Sequence, residues 1–133
     1  MKNRSELREI IMRVLYQVSI YEETKVKYNV DDLIHEALDI ENSFVNETVY
    51  GVIENKSKII NLANKYLKDW TIDRLNKVDQ AILSIGIYEL MYTDTPSVVS
   101  INEAIELSKK YSEDAVVKMI NGVLDKIYHE EVK

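Results

Sequence analysis

Residues 78–92 read VDQAILSIGIYELMY, a run that is apolar on nearly every side when wound into a helix. Such a segment cannot sit on a surface, so it predicts a central helix packed between others. Gly86 in its middle costs about 1 kcal/mol relative to alanine, which is reasonable where another helix crosses closely. The next stretch, TDTPS at 93–97, is the strongest turn signal in the chain, because Pro96 pushes Thr95 out of the helical region. Beyond it the spacing predicts two amphipathic helices, about 100–111 and 113–129, with Ser112 as the cap between them. The second buries Val116, Ile120, Val123, Leu124 and Ile127.

Working toward the N-terminus, residues 70–77 read as a linker with one helical turn. Ser43 is placed to cap a long helical segment running to Lys68, with Phe44, Val45, Val49, Val52 and Ile53 on one stripe and Ile59, Ile60, Ala63, Tyr66 and Leu67 resuming it. Either Gly51 or the polar run 54–57 breaks or bends this segment. A short helix is predicted over 30–38, with Leu33, Ile34, Ala37 and Leu38 as its apolar face and Asp31 and Asp32 near its positive end. The first helix carries Leu7, Ile10, Ile11, Val14, Leu15 and Val18 at three-and-four spacing, and Asn3 with Glu6 forms a capping box. Residues 22–29 read as a loop. No internal repeat or sustained heptad occurs. The expectation is an all-α fold of six or seven packed helices in one domain spanning 1–133.

Composition agrees. The chain has 133 residues, 46% hydrophobic and 30% charged, enough for one core. Three glycines and one proline are too few to punctuate a β-sandwich or barrel. The absence of cysteine excludes disulfides, thiolate metal sites and a cysteine nucleophile. The opening MKNRSELREI is charged where a signal peptide needs an apolar stretch, and no run of eighteen apolar residues occurs, so a soluble, cytoplasmic protein is expected. The formal net charge is −6. It is unevenly spread: residues 1–28 hold six basic and four acidic side chains, residues 29–57 one basic and seven acidic. An acidic chain binds nucleic acid only through a local patch or a basic helper, because phosphate binding depends on lysine and arginine displacing counterions.

The common catalytic constellations are missing. Gly51, Gly86 and Gly122 are too scattered for a phosphate-cradling loop, and no serine lies in a GxSxG elbow. His35 and His129 form no metal-binding pair and read as surface residues. Glu103 with Glu106 reads as a solvated face rather than an acid–base pair. There remains the first helix, where Arg4, Arg8, Met12 and Tyr16 succeed one another four apart along a drifting strip. Two cations and a ring suit a single RNA strand, with phosphates on the guanidiniums and a base on the ring. The alternative is that Arg13 pairs with Glu9, Arg4 and Arg8 keep the helix solvated, and Tyr16 is a rim residue. Charge balance alone favours the second reading.

The C-terminal third reads SINEAIELSKKYSEDAVVKMINGVLDKI (100–127) and resembles the signature of the NusB family of transcription antitermination factors, an INEA(I/V)ELAK helix followed by K-F-(V/I)-N-G-V-L-D. The likeness extends upstream through VDQAILSIGIYELMYTDTPSVV and Trp70 to RVLYQ in the first helix; only about 22–42 match weakly. The resemblance implies two small helical bundles at right angles and a protein without catalysis or cofactor. It further implies pairing with ribosomal protein NusE, recognition of the single-stranded boxA element of ribosomal RNA leaders, and assembly into an RNA polymerase antitermination complex.

Carried over by position, the family's arginine-rich start corresponds to Lys2, Arg4 and Arg8, and its LY pair to Leu15 and Tyr16. Ser5 and Glu6 stand where some members continue the arginines, which implies weaker RNA binding. Met119 replaces a phenylalanine before Asn121 and Gly122. Those two offer hydrogen-bonding groups and a place for RNA to approach, or else a notch for helix packing. The positions resembling the NusE-facing surface are Asp73, Asp79 and Tyr88, whereas Asn102 and Glu103 are expected to cap and brace their helix. A competing reading is a detached RNA-recruiting module like the N-terminal domain of rRNA cytosine methyltransferases. Monomer and homodimer both stay open.

Overall fold

The computed structural model describes residues 2–132. Among them are seven α-helices and no strand: α1 (Arg4–Thr24), α2 (Val30–Ala37), α3 (Ser43–Glu54), α4 (Lys56–Tyr66), α5 (Lys77–Tyr92), α6 (Ser97–Tyr111) and α7 (Asp114–Glu131), with a single 3-10 turn, Ile72–Arg74, before α5. α1 packs with α2 and α3 in one group, and α4, α6 and α7 gather round α5 in the other. α5 joins them, touching α1 and α3 on one side and α4, α6 and α7 on the other. The apolar residues of both groups make one continuous core, in which Ile82, Leu83, Ile87, Ile120, Leu124 and Ile127 are fully enclosed. The all-apolar reading of 78–92 therefore ends where it should, at the centre.

The local chemistry explains most boundaries. The capping box of Asn3 and Glu6 closes the start of α1, with Asn3 Oδ1 accepting from the Glu6 amide at 2.9 Å and Glu6 Oε1 accepting from the Asn3 amide at 3.2 Å. Asn29, Asn42 and Asn76 cap α2, α3 and α5 in the same way, each side chain accepting from an amide of the first turn. Asn42, not Ser43, is thus the cap of α3. The long segment expected from 43 to 68 breaks at Asn55, inside the polar run, where the Asn55 side chain donates back to the Gly51 carbonyl at 2.8 Å. α6 begins at Ser97, three residues before the predicted start, directly after Pro96. Glu113 stands at the N-cap of α7, and Ser112 ends α6 instead of capping α7. Ala37, expected on the inner face of α2, is exposed.

Two glycines permit close approach. A Cβ on Gly51 would collide with the ring of Tyr88, and one on Gly86 would meet Leu124 Cδ1 at 2.9 Å and Ala104 Cβ at 3.4 Å. The crossing inferred at Gly86 is thus made by α7 and α6. Gly122 differs: a Cβ there would have nothing within 4 Å. It is not a notch for packing within the chain.

Candidate nucleic-acid and partner interface

The strip along α1 does not stay on the surface. Successive positions four apart advance by about 400°, so the strip rotates about 40° per step and drifts into the core. Arg4 and Tyr16 are exposed, but Met12 is 2% and Arg8 only 4% accessible. Arg8 turns inward to meet Glu89 of α5, itself 1% accessible. Its Nε donates to Glu89 Oε2 and its Nη2 to Glu89 Oε1, both at 2.7 Å, and Nη1 donates to Glu103 Oε1 of α6 at 3.0 Å. The planar guanidinium suits this two-pronged grip on a carboxylate. Burial alone would lower the Arg8 pKa, but the hydrogen bonds and charges of Glu89 and Glu103 outweigh it and the net shift is upward. Arg8 is therefore withdrawn as a phosphate contact: it is enclosed, and each of its three nitrogens donates to a carboxylate that ties α1 to α5 or α6. Asn102 and Glu103 do not cap their helix as expected: α6 begins at Ser97 and both lie inside it, Asn102 exposed and Glu103 accepting from Arg8 and from the Ser5 hydroxyl of α1.

The other cations of α1 divide clearly. Arg13 pairs with Glu9 at 3.3 Å, four residues back, and Glu9 also takes Lys110 at 3.2 Å and the Tyr111 hydroxyl. That tyrosine bond is the main reason the Glu9 pKa falls. Arg4 and Lys2 are exposed and make no ion pair among the described residues. Arg4 lies instead over the Phe44 ring of α3, its Cζ 4.0 Å from the centroid, with Arg8 Cζ 5.3 Å from the same centroid. The cleft around Arg4 is lined by Ser43, Phe44, Glu47, Thr48, Tyr88, Thr93 and Thr95. Tyr16 is about 18 Å along α1 from Arg4 at 1.5 Å per residue, so the two sit at the start and near the middle of the helix rather than in one grip.

On α7, Asn121 and Gly122 are exposed, while Met119 is half-buried and lines a groove with Trp70, Arg74, Leu75, Asn76, Asp79, Ala115 and Val116. Met119 and Asn121 lie about 200° apart round the helix. The structure sends them to different faces.

The three expected partner positions are also separated. Asp73 is exposed on the 3-10 turn. Asp79 is 3% accessible and accepts from the Ser112 hydroxyl, so it holds the α6–α7 junction against the start of α5 and presents no carboxylate outward. This corrects the expectation of a partner contact. Burial raises its pKa, the Ser112 bond opposes the shift, and the negative charge of Glu113 adds to it. Tyr88 is half-buried, stacks on Tyr92 at 5.7 Å between centroids, and donates to the Glu47 carbonyl at 3.4 Å. Burial first, then the charges of Glu47, Glu54 and Glu89, raise its pKa. An open groove beside it, lined by Asn46, Glu47, Tyr50, Gly51, Glu54 and Asn55, has both acidic and aromatic walls.

Sequence reasoning missed two residues of this arrangement, Glu89 and Phe44. Glu89 carries a visible signal, a carboxylate in a helix that is otherwise buried, which demands a buried cation. Phe44 carries none, since its apolar stripe explains it. His35 and His129 are exposed, 3.3 Å from Glu41 and Asp125. No cluster of three metal-ligating side chains occurs among the described residues. No described helix is long and apolar enough to cross a membrane.

The chain as a whole, in sequence and in fold, is similar to known proteins. The family model described as the NusB family matches residues 5–129. Transcription antitermination protein NusB of Clostridium perfringens is 40% identical over 132 residues, covering 95% of this chain and 96% of its own length. Its counterpart from Macrococcus caseolyticus is 38% identical over 127 residues, covering 94% and 95%. Among solved structures, T. maritima NusB superposes with a TM-score of 0.83 at 30% identity, over 99% of this chain and 94% of that one. A structure of the antitermination factors NusB and NusE in complex with dsRNA gives a TM-score of 0.80 at 25% identity, over 95% and 96%. With the helix order, the buried centre and matches running almost end to end, the chain belongs to the NusB family of transcription antitermination proteins.

Proposed function

We propose that this chain is an RNA-binding antitermination factor that works without catalysis or cofactor in the cytoplasm, the whole of residues 1–133 acting as one helical domain. Together with ribosomal protein NusE it recognises boxA in ribosomal RNA leader transcripts and, within the RNA polymerase antitermination complex, promotes read-through. The observation that carries this reading is the near full-length likeness to antitermination proteins, joined by a structural neighbour that holds NusE and RNA together. Because the matching relatives are antitermination proteins, the methyltransferase-module reading is not favoured.

Lys2, Arg4 and Tyr16 on the α1 side and Asn121 with Gly122 on α7 serve RNA, and Met119 contributes from its separate groove. Arg4 supplies the strongest contact because its charge is uncompensated and exposed. Tyr88 serves the protein partner with the acidic wall of Glu47 and Glu54, which complements a cationic protein. Asp73 extends that role at the far end of α5. Such a division explains how an acidic chain takes up RNA: the partner brings the additional positive charge. A fluorescence titration of boxA RNA at fixed salt, with and without NusE, tests the reading. Tighter binding with NusE is expected, and no enhancement would overturn it.

A further inference from the structure

Of the three arginines on α1, Arg8 is bound by Glu89 and Glu103 and Arg13 by Glu9, so only Arg4 keeps its donors free of carboxylates among the described residues. A free arginine at the first position of a helix ordinarily samples many rotamers, and ordering it on a phosphate costs entropy. Here the guanidinium is already placed, because the Phe44 ring lies 4.0 Å beneath it. Phe44 is itself held: it is half-buried against the core, and Arg8, locked by its two carboxylates, sits over the same ring at 5.3 Å. The ring's face attracts the cation without consuming its hydrogen-bond donors, which an ion pair would do. All five guanidinium N–H donors stay available to an incoming anion.

We propose that Phe44 is the positioning residue of the RNA-binding arm, holding the Arg4 guanidinium pre-oriented for a backbone phosphate. This rests on the RNA-binding function proposed for the chain. Phe44 does not touch RNA; it acts through Arg4. The cleft that holds the pair also contains Tyr88, so the arm is ordered beside the surface assigned to the protein partner.

The test is a double-substitution cycle in boxA RNA affinity, run in the presence of NusE, with Phe44→Leu, Arg4→Ala, both together, and Phe44→Trp. Leucine keeps the apolar bulk and removes the ring face. Phe44→Leu is expected to weaken binding about two- to five-fold, the size of one exposed cation–ring contact. In the Arg4→Ala background it should add almost nothing, and Phe44→Trp should keep the parent's affinity. Equal losses from Phe44→Leu with and without Arg4 would mean a purely structural ring and would overturn the proposal, as would an unchanged isotherm for Phe44→Leu. Thermal melting of each variant separates a folding defect from a binding one, and if Phe44→Leu melts early, Phe44→Met is carried through the same cycle. Were the unsubstituted protein to ignore RNA with NusE present, the functional reading itself would fail, a result distinguishable from either outcome of the cycle.

Discussion

Replacing Arg8 with alanine should damage stability far more than RNA recognition. The Glu89 carboxylate is 1% accessible and receives two hydrogen bonds at 2.7 Å from one guanidinium. Removing the arginine leaves a buried carboxylate with its main cation gone, and breaking a buried pair from one side costs about 3–5 kcal/mol. Domains of this kind have about 5–15 kcal/mol in total. The melting midpoint should therefore fall by about 10–20 °C. A double variant, Arg8→Met with Glu89→Leu, removes both charges and fills the space with apolar atoms; it should lie within about 1 kcal/mol of the parent or above it. Urea unfolding monitored by circular dichroism measures both. RNA titrations at several salt concentrations, at a temperature where Arg8→Ala is folded, complete the test. The slope of log affinity against log salt should match the parent for Arg8→Ala and fall by about one for Arg4→Ala. A stability loss under about 1 kcal/mol, or a shallower slope for Arg8→Ala, would refute the assignment of Arg8 to the interior.

Other consequences are simpler. Asp79 has a raised folded pKa, so its ionised form is disfavoured in the fold: its contribution to stability is full below the ordinary carboxylate range and is lost as pH rises through the folded value. Asp79→Asn, which can still accept from Ser112, should melt at or above the parent at pH 7, with the difference shrinking as the solution is acidified; the opposite trend would refute burial as the cause. The glycines separate by space: Gly122→Ala has room and should stabilise α7 by about 0.5–1 kcal/mol. Gly51→Ala, where the new methyl meets the Tyr88 ring, should destabilise despite the same gain in helix propensity, and thermal melts of the two variants check the contrast.

How far the candidate site is legible in the sequence depends on the residue. Arg13 with Glu9 can be read from i, i+4 spacing, and the salt bridge is there at 3.3 Å. Arg8 misleads because spacing four apart suggests a surface strip. Leu7, Ile11 and Met12, all buried, are its helical neighbours, and they place it on the inner side. Asp79 misleads for a related reason, since an acidic residue in a first helical turn is normally solvated, and only the approach of Ser112 from 33 residues away encloses it. For Asn121 and Gly122 the sequence allows either packing or contact, and the empty space around Gly122 decides against packing.

Periodicity, the capping box at Asn3 and the scarcity of turn residues are local quantities, and they suffice for an all-α fold of six or seven helices with α5 at its centre, while the break at Asn55 that makes the number seven among the described residues is decided by the structure. Likeness of the motif at 100–127 points to the family. Which cation of α1 is free, which carboxylate is enclosed and which ring lies under Arg4 depend on pairs distant in sequence: Arg8 meets Glu89 and Glu103 across 81 and 95 residues, Asp79 meets Ser112 across 33, and Phe44 lies under Arg4 from another helix. A charge is neutralised by whatever the fold brings within about 3 Å of it, and chain-local pattern carries no information about that distance.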